Sequence, residues 1–328
     1  HSDISYHGKL LGSASITASK EVHFRYPRIP NTESFEFNNI ESIKEKINKF
    51  RKESGESDIY ALFIEPFNAG SIRSCSKVFL EELQKICNDE KIILVFDEIY
   101  SGWYKTGNLF YFMGYDVIPD ILTTSKSFGG GKSSISAYVA RNSILLKAYG
   151  NTRDATLHTT TYNGMGEECI TAIEAINIME KDNFKEKSYN IERIVKDRCN
   201  QLIKKFPEQI IECRGAGAIH GIFLKNKKTF FNQIIKLIPT EISKDERFIP
   251  KLIIAAVADW MYRYHKIYVL FSNADEISLL FTPSLVMNKK EINYFFDSLE
   301  KTLQVDINKI TIEFVKKYVS QIIMKLKL

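Results

Sequence analysis

The run Lys91–Phe96 (KIILVF), closed by Asp97–Glu98, constrains the fold more than any other stretch of this chain. A continuous apolar, β-prone run has no polar face to turn to water, so it suits a strand buried on both sides in a parallel sheet. Strands and helices alternate around it. Ile59–Ile64 reads as a strand and Val78–Cys87 as a helix, while Ile121–Thr124 and Ile135–Ala140 are further candidate strands. Such alternation predicts an α/β chain with a mostly parallel, doubly wound sheet, whose ligands sit outside the carboxyl ends of the strands. A long helical region follows over Gly166–Phe206, broken near Lys181–Asn183.

The pattern then changes. Ala216–Leu224, Ile267–Phe271 and Ile277–Phe281 read as strands, with helical Lys251–Tyr264 and Lys290–Leu303 beside them. We therefore expect a large domain over 1–185, a smaller α+β domain over 186–305 and a helical extension over 306–328. In the extension Ile310, Phe314, Tyr318, Ile322 and Leu326 fall mostly four apart, one apolar stripe on a helix.

Composition excludes several functions. With 44% hydrophobic and 26% charged residues over 328 positions, the chain is too apolar for wholesale disorder and long enough for a substantial core. No apolar run approaches the length of a membrane span, and His1–Gly8 lack the basic-then-apolar form of a signal peptide. The 45 basic and 40 acidic residues are interspersed, with no basic stripe, so nucleic acid is not an expected partner. Cys75, Cys87, Cys169, Cys199 and Cys213 form no CxxC pair and show no zinc-like spacing with the histidines; a reduced, cytoplasmic protein without a metal is expected.

Asp97 at a strand end fits three roles: a cap for the next turn, a magnesium-holding carboxylate of a nucleotide enzyme, or a ligand contact. The nucleotide reading needs a P-loop. Gly129–Gly130–Gly131–Lys132–Ser133 fails that pattern because position 126, where the first glycine must stand, is Lys. Lys126 is the more telling residue. It follows the strand Ile121–Thr124 and precedes three glycines that let the backbone bend closely round a ligand. A strand-end Lys facing an Asp from another strand end suits a Schiff-base amine with a carboxylate partner for a pyridinium nitrogen, the arrangement of pyridoxal phosphate sites.

Six motifs then occur in order: Tyr6–His7–Gly8, Glu65–Pro66, Asp97–Glu98–Ile99 with Ser101–Gly102 and Thr106–Gly107, Pro119–Asp120, Lys126 with Gly129–Gly131, and Thr161–Tyr162–Asn163–Gly164. Together they resemble the class III, ornithine/acetylornithine-type, pyridoxal-phosphate aminotransferases from about Tyr6 to Leu303; Arg214–Gly215, Gly221 and Pro283 carry the likeness into the small domain.

The resemblance implies a type I pyridoxal-phosphate transferase fold and a homodimer with a shared active site. Lys126 would form the internal aldimine and shuttle the proton, and Asp97 would pair with the pyridine nitrogen. Tyr6 and His7 would lie at the cofactor, with Tyr6 stacked on its ring. Tyr100 replaces the small or polar residue that the family usually places at the 3-hydroxyl, and Thr161 would bind the phosphate across the dimer interface. Glu65 stands where the family has a carboxylate near the substrate, and His158 reads as structural.

Two departures stand out. Phe67–Ser71 replaces the family's glutamine- and glycine-rich stretch. The family's leading segment, whose glycine/serine turn cradles the phosphate, does not precede Tyr6–His7–Gly8 here; a longer protein or another chain is expected to supply it. Amino-group transfer between an amine or amino acid and an oxo acid is the expected activity. The alternative is a catalytically incomplete domain, kept as a scaffold or as a module of a larger enzyme.

Overall fold

The computed structural model describes residues 1–19, 27–225, 246–272, 274 and 276–326, with side chains to 318. The chain forms two compact units, His1–Ser188 and Tyr189–Leu328, whose division falls inside the helix Phe184–Lys205.

The first unit is built on a four-stranded sheet. Strand β1 (Ala61–Ile64) is followed by a short antiparallel ribbon of β2 (Phe67–Asn68) and β3 (Arg73–Ser74). Then come β4 (Ile93–Asp97), β5 (Ile121–Thr124) and β6 (Ala137–Ala140), giving the sheet order β1-β4-β5-β6. β1, β4 and β5 run parallel, as the apolar KIILVF run predicts. β6 pairs antiparallel with β5, and the residues between them hold only the short 3-10 turn Lys126–Gly129 and no crossover helix. Leu94, Val95 and Phe96 are buried, and their neighbours Leu62 and Ile64 fill the same core.

The helix Lys77–Asp89 starts where Ser76 accepts the Phe79 amide, and it buries Phe79, Leu80, Leu83 and Cys87. The helix Ile40–Lys49 is opened by Asn39 in the same way and buries Ile43 and Ile47. Gly166–Lys181 and Phe184–Lys205 are separate helices; Asn183, with φ +50°, breaks the long helical region where the sequence expectation puts the break.

The second unit holds an antiparallel sheet of β7 (Ile210–Ala216), β8 (Ile219–Leu224), β9 (Leu270–Phe271) and β10 (Leu279–Phe281), in the order β7-β8-β10-β9. β7 is one of the elements the sequence reading missed. The expected single strand Ala216–Leu224 is the second arm of a hairpin turning at Gly217–Ala218, and the Glu-Cys-Arg run before it hides the first arm. Phe281, Phe295 and Phe296 pack ring against ring, joining β10 to the helix Lys289–Gln304. That helix opens with a complete capping box of Asn288 and Glu291. The final helix, Ile307–Leu326, packs on Phe248–His265, where Lys317 Nζ lies 3.1 Å from Asp259 Oδ1. Among the described residues no helix is long and apolar enough to cross a membrane.

Candidate active site

Three successive parallel strands present three ionisable groups at one edge of the first sheet. Glu65 directly follows β1, Asp97 closes the neighbouring β4, and Lys126 stands two residues beyond β5. In the register Asp97 lies opposite Thr123, so the turn that carries Lys126 leaves the sheet just beyond the carboxylate. Parallel strands end together at their carboxyl edge, and residues 61 positions apart in sequence thereby share one site.

Asp97 is held at both oxygens. Its Oδ1 accepts the Ile99 amide at 3.0 Å, and its Oδ2 lies 2.8 Å from His7 Nδ1. The His7 side chain is buried, its backbone N–H donates to Thr17 Oγ1 and its ring meets Phe63 edge-on. Its Nε2 has no hydrogen-bond partner among the described residues.

Glu65 is buried, and Oε2 accepts the Tyr6 amide at 2.8 Å and Asn68 Nδ2 at 2.6 Å. Burial pushes its carboxyl up to about 7; His7 opposes that shift, and the charge of Asp97 adds to it. Asn68 is itself fixed, since its Oδ1 accepts both the amide and the hydroxyl of Ser71. The altered stretch Phe67–Ser71 is therefore the cradle of Glu65.

Lys126 begins a 3-10 turn that runs to Gly129, and its backbone is left-handed, with φ +50°. A non-glycine residue there is strained, and such strain persists where neighbours over-determine the conformation. Its Nζ lies 5.1 Å from the centroid of the Tyr100 ring. Partial burial lowers the amine's pKa, while Asp97 and Glu65 pull it upward. The net direction is towards an amine that gives up its proton more readily than an ordinary lysine.

The two carboxylates of Asp97–Glu98 divide the work. Glu98 is fully buried and points away into the following loop, where it accepts the amides of Tyr111 (2.6 Å) and Phe112 (2.9 Å) and the Ser101 hydroxyl (2.9 Å). Burial raises its carboxyl to about 7. It is the post from which the 98–112 loop hangs. Gly102 is required in that loop, because a Cβ there would meet the Phe110 ring at 2.8 Å and the Glu98 carbonyl at 2.9 Å.

The remaining candidates divide as well. Tyr6, 45% exposed, joins the cluster through its amide on Glu65, and Tyr100 joins it through Lys126. Thr161 does not join it: it lies exposed in the turns before the helix Gly166–Lys181 and makes no hydrogen bond to the others. His158 packs its ring against Tyr138 and Tyr149. Sequence reasoning missed Asn68, Thr17 and Glu98 as supports. Only Glu98 carried a usable signal, a carboxylate that a buried strand cannot leave unpaired.

The model of the family "Aminotransferase class-III" matches residues 2–303. The chain belongs to the class III aminotransferases. Among solved structures, the ornithine aminotransferase from Toxoplasma gondii is 19% identical and superposes with a TM-score of 0.73 over 94% of this chain and 64% of its own. A transaminase from the marine bacterium Virgibacillus gives 20% and 0.75, over 94% of this chain and 67% of its own. A Bacillus anthracis aminotransferase gives 22% and 0.73, over 92% and 67%. At these identities the likeness establishes the fold, that of the type I pyridoxal-phosphate transferases. The chain spans about two thirds of the length of each.

Class III aminotransferases work with pyridoxal phosphate, and the T. gondii enzyme is described with that cofactor at its active site. The donor set here fits the ring and aldehyde end of the group. An amine of lowered pKa and an oriented carboxylate stand at adjacent strand ends, with the Tyr6 amide on the neighbouring Glu65.

Proposed function

We propose that this chain is the body of a pyridoxal-phosphate-dependent aminotransferase, moving an amino group from an amine or amino acid to an oxo acid. The observation that carries the reading is the placement of Lys126 and Asp97 beyond adjacent parallel strands, with Glu65 at the third. When bound, the cofactor supplies an aldehyde and an electron-accepting pyridine ring. Lys126 supplies the amine that anchors it. Once freed by the amino donor, Lys126 Nζ would take the proton from the substrate Cα and hand it to C4′ of the cofactor, and would carry it the opposite way in the second half of the exchange. Asp97 holds the positive charge of the ring nitrogen, and His7 keeps the carboxylate turned towards it. Glu65 carries a proton near neutral pH and sits beside the substrate amine, while Tyr6 offers its face to the ring.

Thr161 fits a shared site. It is exposed, and the helix after it leaves Ile170 and Ile173 70% and 58% exposed, an apolar face suited to a second copy of the chain. A homodimer in which Thr161 reaches the partner's phosphate follows from that reading, and the free cysteines suit a reducing cytoplasm. The test is reduction of the full chain with borohydride after adding pyridoxal phosphate, followed by peptide mapping. The expected result is a visible band that borohydride abolishes, with the label on Lys126. Label on Lys132, or no specific label, overturns the assignment and leaves the scaffold reading in its place.

A further inference from the structure

Lys126 holds a left-handed backbone that a lysine does not adopt without help, and the residues on either side of it show where the help comes from. Two positions before it, Thr124 Oγ1 accepts a 2.6 Å hydrogen bond from Trp103 Nε1, and both groups are buried. Two positions after it, Phe128 lies flat on the same indole, with ring centroids 4.8 Å apart and planes 6° from parallel. The third contact of the indole is the edge of Phe110, at 5.3 Å.

Trp103 is itself rigidly placed. It and Tyr104 are both left-handed, with φ +59° and +64°, and Leu109 O accepts the amides of both. The loop carrying them is tied to Glu98 at Ser101, Tyr111 and Phe112. The same loop places the Tyr100 ring against Lys126 Nζ. A path of fixed groups thus runs from the carboxylate next to Asp97, through the indole, to both flanks of the lysine.

We infer that Trp103 is a positioning residue for Lys126: its indole grips the turn on both sides of the lysine and fixes where the amine points. The inference rests on the reading of Lys126 as the cofactor-anchoring amine, and it deepens that reading. The groups facing the amine are Asp97 from β4, Glu65 from the end of β1 and the Tyr100 ring, with His7 acting through Asp97. Lys126 is already exposed to solvent, so releasing the turn chiefly lets the amine move away from all of them. Its affinity for protons then returns towards that of an ordinary lysine.

The experiment titrates Lys126 in the full chain without cofactor. The rate of reductive methylation by formaldehyde with cyanoborohydride as the hydride donor is followed against pH by mass spectrometry, with Lys132 as internal control. Trp103→Leu is expected to move the Lys126 profile about one pH unit alkaline, slowing its reaction near neutral pH about tenfold, and to leave Lys132 unchanged. Trp103→Phe removes the hydrogen bond and keeps a stack, and Phe128→Leu removes the stack and keeps the hydrogen bond. Each is expected to give part of the shift in a chain that still unfolds in one cooperative transition. An unchanged Lys126 profile in both of these folded variants overturns the inference, even where Trp103→Leu fails to fold. Formaldehyde needs no cofactor, so this outcome is separate from the borohydride test of Lys126 as the anchor.

Discussion

The sheet edge that carries Glu65, Asp97 and Lys126 contrasts with the exposed turns that carry Thr161, in the same unit of the chain. At the sheet edge each functional group is fixed by at least one neighbour: Glu65 by Tyr6 and Asn68, Asp97 by His7 and Ile99, Lys126 by the turn between Thr124 and Phe128. Around Thr161, positions 150–167 are almost entirely exposed, and the recorded side-chain hydrogen bonds are local ones such as Thr159 to Thr156. Parallel strands bring distant residues together and pre-organise them within one chain. A surface turn has no such frame, so its order must come from whatever covers it.

The sharpest way to break this comparison is to remove the group that the preformed edge serves. Lys126→Ala is expected to abolish borohydride labelling and to lower transamination by about 10²–10⁴-fold, while unfolding by urea is unchanged. A variant that retains labelling or activity would put the anchor elsewhere. The next largest effect falls on the frame. Glu98→Ala leaves two buried amides and a hydroxyl without their acceptor, and it is expected to destabilise the chain by about 3 kcal/mol in urea melts. Loss of under about 0.5 kcal/mol would show that the 98–112 loop is not hung from this carboxylate.

A third effect is a pH dependence. Glu65 and Glu98 have folded-state values raised to about 7, so between about 4.5 and 7 the folded chain holds protons that the unfolded chain has released. Stability from these groups is therefore fully present at acid pH and falls as pH rises towards 7, by up to about 1.4 kcal/mol per unit for each group. Glu65→Gln is expected to flatten its share of that slope in urea melts recorded from pH 5 to 8. An unaltered slope would show that Glu65 is not held protonated. The smallest effect belongs to the exposed side. Thr161→Ala is expected to weaken pyridoxal phosphate binding about tenfold or less, and only at protein concentrations where the chain self-associates. Equal weakening in dilute, monomeric protein would place Thr161 in its own subunit's site.

Much of the candidate site's placement in the fold was legible in the sequence, for particular reasons. Lys91–Phe96 is uniformly apolar and ends in acids, so both its place in a parallel sheet and the position of Asp97 followed from pattern alone. Lys126 stood out because it occupies the position where a P-loop needs glycine and precedes three glycines. The supports were not legible. Asn68 lies in a stretch that differs from the family's usual one, Thr17 is one hydroxyl among many, and Trp103 resembles any buried aromatic until its partners Thr124 and Phe128 are seen. β7 escaped because Glu212, Cys213 and Arg214 interrupt its apolar alternation, and only pairing with β8 makes it a strand.

By itself the sequence determined the class of fold, the strand that carries Asp97 and the place of Lys126 just beyond another strand, because periodicity and the residues at strand ends are local properties of a chain. Only the tertiary structure decided that Glu65, Asp97 and Lys126 share one edge. It also separated Asp97, facing the site, from Glu98, anchoring a loop, and it alone closed Trp103 on the two flanks of Lys126. Those outcomes depend on strand order and loop path, which bring together residues whose spacing along the chain carries no sign of their contact.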